Sequence, residues 1–278
     1  MDNTFFKLGL TGHPVGHSRS PKIHECFSKE TGKALTYDLY DRDGEQILSF
    51  AEEAFEEGLD GFNVTVPHKN AIIPSLEKID ENALLIGAVN TCRRTQNGFE
   101  GFNTDYIGLK KALHVNDIKL SGKPVVVLGA GGAARACVVL AIKEKASKVY
   151  VVNRSLEHAL KLVKEYQDKL SYKNIFAVYP SDIVKEGKPF ICLQATSLGL
   201  KDTDPCPVED DEFFELCEKA YDLIPTTDIT SFQKVCGLHG VPCSNGIAML
   251  VYQAAAAFEI WTGIKISEET ANKLINQL

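Results

Sequence analysis

The sequence predicts an α/β protein of two domains: an N-terminal α/β domain with a mainly parallel sheet, followed by a doubly wound one. Three observations predict it. Strand-like and helix-like patterns alternate along almost the whole chain, as parallel strands with covering helices require. At 278 residues the chain is long enough for two domains. Near its middle, the glycine-rich "GAGGAA" stands directly between an apolar strand pattern and a helix pattern.

The elements follow in order. "FFKLGLTG" reads as a strand, and a helix begins after Ser20-Pro21, with Ser20 as cap and Pro21 at the first helical position. A strand in "ALTYDLY", a helix over "GEQILSFAEEAFEEG" and a strand in "GFNVTV" come next. In residues 87–102 two short alternating runs flank "QNG", whose Asn-Gly favours the positive φ of a tight hairpin turn. "NTDYIGLKKALH" then reads as a helix capped by Asn103 or Thr104. From Gly122 a second α/β unit begins with "PVVVLGAGGAARACVVLAIKEKA" and "KVYVVNRS", and continues through strands in "FICLQAT", "KAYDLI" and "GVPCS". The alanine-rich "NGIAMLVYQAAAAFEIWTG" is a long apolar helix that returns the chain to the first domain. Residues 1–105, completed by 245–278, are expected to form one domain and 106–244 the other, with the reaction in the cleft between them.

Composition narrows the function classes. A formal charge of -7 without basic clusters argues against nucleic acid, whose phosphates require lysine and arginine. No apolar run approaches the roughly 18–20 residues that span a bilayer, and "MDNTFFKLGL" lacks the pattern of a leader peptide, so a cytoplasmic protein is expected. The eight cysteines form no CxxC pair and no zinc-finger spacing; they are expected to be small buried hydrophobes, and no metal site is expected. The expected partner is a small molecule, and a homodimer fits the apolar content as well as a monomer does.

In "VVVLGAGGAARA" the residues Gly129, Gly131 and Ala134 have the G-x-G-x-x-A spacing of a Rossmann-type dinucleotide turn, with Ala130, Gly132 and Ala133 between them. The first glycine permits the turn, the second lets a pyrophosphate approach, and the helix amides meet the anion. The next strand ends in Asn153, Arg154 and Ser155, where NAD-binding domains usually place an acidic residue. A guanidinium with polar neighbours accepts a 2′-phosphate that a carboxylate would repel, so NADP is the expected cofactor.

Four loops, "GHSRSP", "NVTVPHK", "AVNT" and "FNTD", are rich in hydrogen-bonding groups and suit a small, highly hydroxylated ligand. Together with "GAGGAARA", "NRS", "ATSLG" and the last apolar helix, they resemble the shikimate dehydrogenase family, in order and over nearly the whole chain. The resemblance implies reversible NADP-linked reduction of 3-dehydroshikimate to shikimate, in the pathway to chorismate and the aromatic amino acids. It implies Lys69 as the catalytic lysine and Asp105 as its partner. It implies Ser18 and Ser20 for the substrate carboxylate, and Asn63, Thr65, Asn90 and Gln253 for binding ring hydroxyls or positioning the catalytic pair. Gly129 to Ala133 and Asn153 to Ser155 match the dinucleotide site, with Thr196 and Met249 near its nicotinamide end.

The chain departs from the family pattern at several places. "DLIPTTDIT" keeps Asp222 and Thr230 of the family's D-x-x-Y-x-P-x-x-T but places Pro225 where a tyrosine contributes a hydroxyl. Loss of one neutral hydrogen bond costs about 0.5–1.5 kcal/mol unless Thr226 or water substitutes. Gln194 stands where "NATS" usually begins, Ala254 replaces a glycine, and His158 occupies the place of a second basic residue, which leaves room for NAD. These departures keep open a quinate/shikimate dehydrogenase or another polyol-acid paralogue and a non-catalytic metabolite and nucleotide sensor; a folate-linked dehydrogenase of similar two-domain plan would also place a lysine in its cleft, but Ser18, Ser20 and "NTD" fit a carboxylated polyol better.

Overall fold

A computed structural model describes residues 5–201 and 203–278. Residues 1–4, part of the stretch read for a leader peptide, lie outside the described residues. Strand β1 (Phe6–Gly12) leads to α1 (Ser20–Thr31), β2 (Leu35–Asp41), α2 (Ile47–Glu56) and β3 (Gly61–Val64). Then come β4 (Lys78–Ile79), α3 (Glu81–Ile86), the hairpin β5 (Thr91–Arg94) and β6 (Phe99–Phe102), and α4 (Thr104–Val115). The second series is β7 (Pro124–Leu128), α5 (Gly132–Lys143), β8 (Lys148–Val152), α6 (Leu156–Leu170), β9 (Ile175–Ala177), α7 (Pro180–Glu186) and β10 (Phe190–Gln194). It closes with α8 (Asp211–Glu215), β11 (Cys217–Asp222), α9 (Ser231–Leu238) and β12 (Cys243–Ser244), before α10 (Ile247–Thr262) and α11 (Glu268–Ile275).

The chain forms two compact units, residues 1–108 with 251–278, and residues 109–250. In unit 1 the sheet order is β2-β1-β3-β5-β6-β4. β1 runs parallel to β2 and β3, whereas β5 is antiparallel to both β3 and β6. The C-terminal ends of β1, β3 and β6 therefore share one sheet end with the start of β5. One face is packed by α2 through Phe50, Ala51 and Ala54 against Phe62 and Phe99. On the other, Leu8, Ala257 and Trp261 pack together.

Unit 2 has an all-parallel sheet, β12-β11-β10-β7-β8-β9, which is the doubly wound order with its reversal between β7 and β10. Its central strands read as uninterrupted apolar runs because both faces are covered; Val125, Val126, Val127, Val149 and Val151 are fully buried.

Several local expectations change. Ser20 is the first residue of α1 and caps nothing; its own amide donates to Ser18 Oγ at 3.2 Å. At the start of α4 the cap is Asn103, whose Oδ1 accepts the Tyr106 amide at 3.2 Å. The "QNG" hairpin forms without positive φ at Asn97 or Gly98, because Thr95 Oγ1 accepts both their amides and holds the turn from its first residue. Of the cysteines, Cys26 on α1 is exposed, Cys206 in the loop before α8 and Cys243 on β12 are half-buried at the edge of the unit 2 core, and the other five are buried. Among the described residues no helix is long and apolar enough to cross a membrane.

Candidate active site

In unit 1 the shared sheet end gathers the polar loops. Lys69 lies on the turn after β3, where Val89 donates its amide to the Lys69 carbonyl at 2.7 Å and fixes the backbone. Its Nζ donates to Asp105 Oδ2 at 2.6 Å, with both side chains mostly shielded from solvent, 17% and 10% exposed. Asp105 occupies the first turn of α4, where the helix dipole favours a carboxylate.

Asn90 organises this pair. Its Nδ2 donates to Asp105 Oδ1 at 2.9 Å and to Thr104 Oγ1 at 3.0 Å, and its Oδ1 accepts the Thr104 amide at 2.7 Å. Gln253, from α10, approaches Asn90 Nδ2 at 3.5 Å and Thr104 Oγ1 at 3.3 Å through Oε1. Asn63 spends both amide hydrogens, on the Asn90 carbonyl and on Thr91 Oγ1, while its Oδ1 accepts the Tyr37 hydroxyl at 2.7 Å. Burial raises the Tyr37 phenol pKa well above the usual range, an effect that the neighbouring Ser20 hydroxyl partly offsets.

Lys69, Asp105, Asn90, Gln253 and Asn63 are thus joined by side-chain hydrogen bonds, Asn63 by way of Thr91, and Ser20 stands beside Tyr37. Ser18 and Thr65 sit on the same sheet end, half-buried, tied through Ser20 and through the Thr65 amide on the Thr11 carbonyl respectively. Reading the sequence alone missed Tyr37, Thr91 and Thr104. Thr91 and Thr104 stand inside the quoted "AVNT" and "NTD", whereas Tyr37 meets its partner 26 residues away and leaves no local signal.

In unit 2 the dinucleotide turn is realised between β7 and α5. Gly129 has φ +116°, and a Cβ there would lie 3.0 Å from the Ala195 carbonyl oxygen, so glycine is required by backbone and packing alike. At Gly131 a Cβ would meet no protein atom within 4 Å, so the protein's own packing does not demand glycine there. No side chain caps the α5 amides, and Ala134 is fully buried against the sheet. These features fit a dinucleotide pyrophosphate approaching at Gly131 and at the Ala130, Gly132 and Ala133 backbone.

At the end of β8, Asn153 Nδ2 donates to the Ser155 carbonyl at 2.9 Å, and Arg154 and His158 are exposed. Thr196 donates its amide to Gln194 Oε1 at 2.6 Å, and the Met249 amide donates to the Tyr221 hydroxyl at 3.3 Å. The family-pattern pair holds together: Thr230 Oγ1 donates to Asp222 Oδ2 at 2.6 Å. Pro225 is half-buried; beside it Thr226 Oγ1 accepts the Asp228 amide at 3.1 Å, which leaves its proton free to donate. Ala254 is fully buried on α10. Among the described residues no three histidine, cysteine or acidic side chains are grouped to hold a metal.

Comparison with known proteins gives concordant matches. Residues 10–92 match the family model of the shikimate dehydrogenase substrate binding domain, residues 110–184 that of shikimate / quinate 5-dehydrogenase, and residues 246–275 that of the shikimate 5'-dehydrogenase C-terminal domain. A shikimate dehydrogenase (NADP(+)) of Methanococcus maripaludis is 38% identical over 278 residues, 99% of this chain and 98% of the relative. That of Methanocaldococcus jannaschii is 36% identical over 271 residues, 96% and 95% of the two chains. A crystal structure of a shikimate dehydrogenase in complex with NADP+ superposes with a TM-score of 0.89 at 34% identity, covering 98% of this chain and 95% of that one. The Thermus thermophilus enzyme in complex with NADP(H) and shikimate gives 0.85 at 30% identity, covering 98% and 99%.

Proposed function

This chain belongs to the shikimate dehydrogenase family, and from that premise we propose that it catalyses the reversible NADP-linked reduction of 3-dehydroshikimate to shikimate, with Lys69 and Asp105 at the reacting oxygen. The observation that carries this reading is the shielded Lys69–Asp105 pair, fixed by Asn90 within one network.

Unit 1 supplies the substrate groups. Ser18 and Ser20 offer hydroxyl donors to the carboxylate, and Thr65, Gln253 and Lys69 face the ring hydroxyls, while Asn63 and Asn90 hold the others in register. Unit 2 supplies the dinucleotide groups at Gly129 to Ala133, with Asn153, Arg154 and Ser155 for the 2′-phosphate and Thr196 and Met249 for the nicotinamide end. NADP, when bound, takes the hydride from the alcohol carbon or returns it to the carbonyl carbon. The residues of this chain handle the proton: Lys69 Nζ gives one to the oxygen as the carbonyl is reduced and receives one as the alcohol is oxidised. Asp105 anchors Nζ by an ion pair, and Asn90 prevents the carboxylate from turning away. A donor already in place stabilises the developing alkoxide without reorganisation.

Initial rates of NADP and NAD reduction with shikimate and quinate, in parallel, test the assignment. Selective shikimate turnover with NADP is expected, and Lys69→Ala is expected to lose about 10²- to 10⁴-fold in kcat while retaining NADP binding. Turnover unchanged in Lys69→Ala would remove the lysine from the mechanism. Preferential quinate or NAD turnover would favour the paralogue reading that Pro225 and His158 motivate.

A further inference from the structure

We propose that Gln194 and Asp222 are positioning residues for the nicotinamide end of the dinucleotide site, fastening the loop Ala195–Gly199 to the buried end of β11. The inference rests on the assignment of unit 2 to NADP made above.

Gln194 ends β10, is fully buried, and spends its amide on this one task. Its Oε1 accepts the Thr196 amide at 2.6 Å, while its Nε2 donates to the Leu198 carbonyl at 2.9 Å and to Asp222 Oδ1 at 3.4 Å. The loop closes on itself where the Leu198 amide donates to Thr196 Oγ1 at 3.1 Å. Asp222, also fully buried, accepts the Ile224 amide on Oδ1 at 3.1 Å and the Thr230 hydroxyl on Oδ2 at 2.6 Å. Three neutral donors thus satisfy a buried carboxylate, and the Leu223 amide on the Gln194 carbonyl at 2.9 Å ties the two strand ends through their backbones.

Two consequences connect this knot to the nucleotide. The Ala195 carbonyl lies where a Cβ on Gly129 would reach 3.0 Å, so the fastened loop packs against the dinucleotide turn. The residue before Asp222 is Tyr221, whose hydroxyl accepts the Met249 amide at 3.3 Å. Thr196 and Met249, the two residues assigned to the nicotinamide end, are therefore both held from the junction of β10 and β11. In this geometry the glutamine spans from the Thr196 amide to the Leu198 carbonyl and the Asp222 carboxylate.

The test compares NADP with adenosine 2′,5′-bisphosphate, which carries the phosphorylated adenosine end and no nicotinamide, by calorimetric titration of the full chain. Gln194→Ala is expected to weaken NADP by about three- to tenfold, the loss expected for a hydrogen bond or two, and to leave the bisphosphate unchanged. A parallel loss for both ligands, or none for either, would overturn the positioning role. Gln194→Glu supplies an independent reading, because it sets a second carboxylate against Asp222 in a buried site. Its NADP affinity is expected to fall as pH rises from about 5 to 8, relative to the wild type over the same range. The other titratable groups near Asp222 are the thiols of Cys206 and Cys243 and the phenol of Tyr221, each with its pKa raised by burial or by its neighbours and so neutral across that range. No difference in pH response between Gln194→Glu and wild type would count against the inference. Absence of NADP binding to the wild type would overturn the cofactor assignment and this inference with it, whereas equal affinity in wild type and Gln194→Ala overturns this inference alone.

Discussion

His24 shows how far a single buried side chain can set a solution property. It is fully buried in unit 1, its ring stacked on Tyr37 at 4.5 Å and tilted against Trp261 at 5.2 Å, and neither ring nitrogen reaches a hydrogen-bond partner. Burial lowers its pKa to about 3, and the nearby Asn63 amide offsets little of that. The unfolded chain protonates this histidine below about pH 6.5 while the folded chain does not until about pH 3, so stability is lost as pH falls through that window. The slope contributed by one such group approaches about 1.4 kcal/mol per pH unit. Glu165, held at about 2 chiefly by Arg135, adds a loss of the same sign only below about pH 4.5. Urea midpoints measured between pH 4.5 and 6.5 are expected to fall with pH in the wild type and to fall less in His24→Phe; equal slopes would show that His24 does not titrate on unfolding. At this scale the side chains proposed for the reaction were legible in the sequence through the short motifs around Lys69, Asp105 and Asn90 that carry the family resemblance, and the structure joins all three by hydrogen bonds. Tyr37 was not, because its partner lies 26 residues away, and the knotting role of Gln194 was not, because it joins bonds to nearby Thr196 and Leu198 with one to Asp222, 28 residues away.

At the scale of elements, Trp261 makes the closest approach of α10 to the unit 1 sheet. Trp261 Nε1 donates to the Cys92 carbonyl at 2.8 Å, and its indole occupies the space beside Gly61 that a Cβ would overlap. Gly61→Ala is therefore expected to destabilise the protein by about 1–3 kcal/mol through overpacking, read as a lowered denaturation midpoint. Retention of the wild-type midpoint would mean that the helix can retreat freely. The period-2 and glycine signals placed the long elements within a few residues, but β4, α3 and the three-residue β9 went unseen. β4 has two residues and α3 six, too few for a hydrophobic period to accumulate. The hairpin was found through its Asn-Gly, yet Thr95 holds its turn, since a side-chain oxygen competed successfully with the expected backbone conformation.

For the whole molecule, the two units give the proposed reaction a division of labour that amide hydrogen exchange can read. NADP is expected to protect the turn at Gly129–Ala134 and the strand end at Asn153–Ser155, and shikimate the segments around Ser18–Ser20, Asn63–Lys69 and Asn90. Protection of the serine and lysine segments by NADP alone would reverse the assignment of the units. By itself the sequence determined the α/β class, since periodicity is a local property of the chain, and its ordered motifs pointed to the family and, through that resemblance, to candidate groups for the proton and the dinucleotide. Tertiary structure alone decided which of those groups share hydrogen bonds. The parallel and antiparallel pairings bring the ends of β1, β3 and β6 and the start of β5 to one place, and no local pattern encodes the strand order that does so.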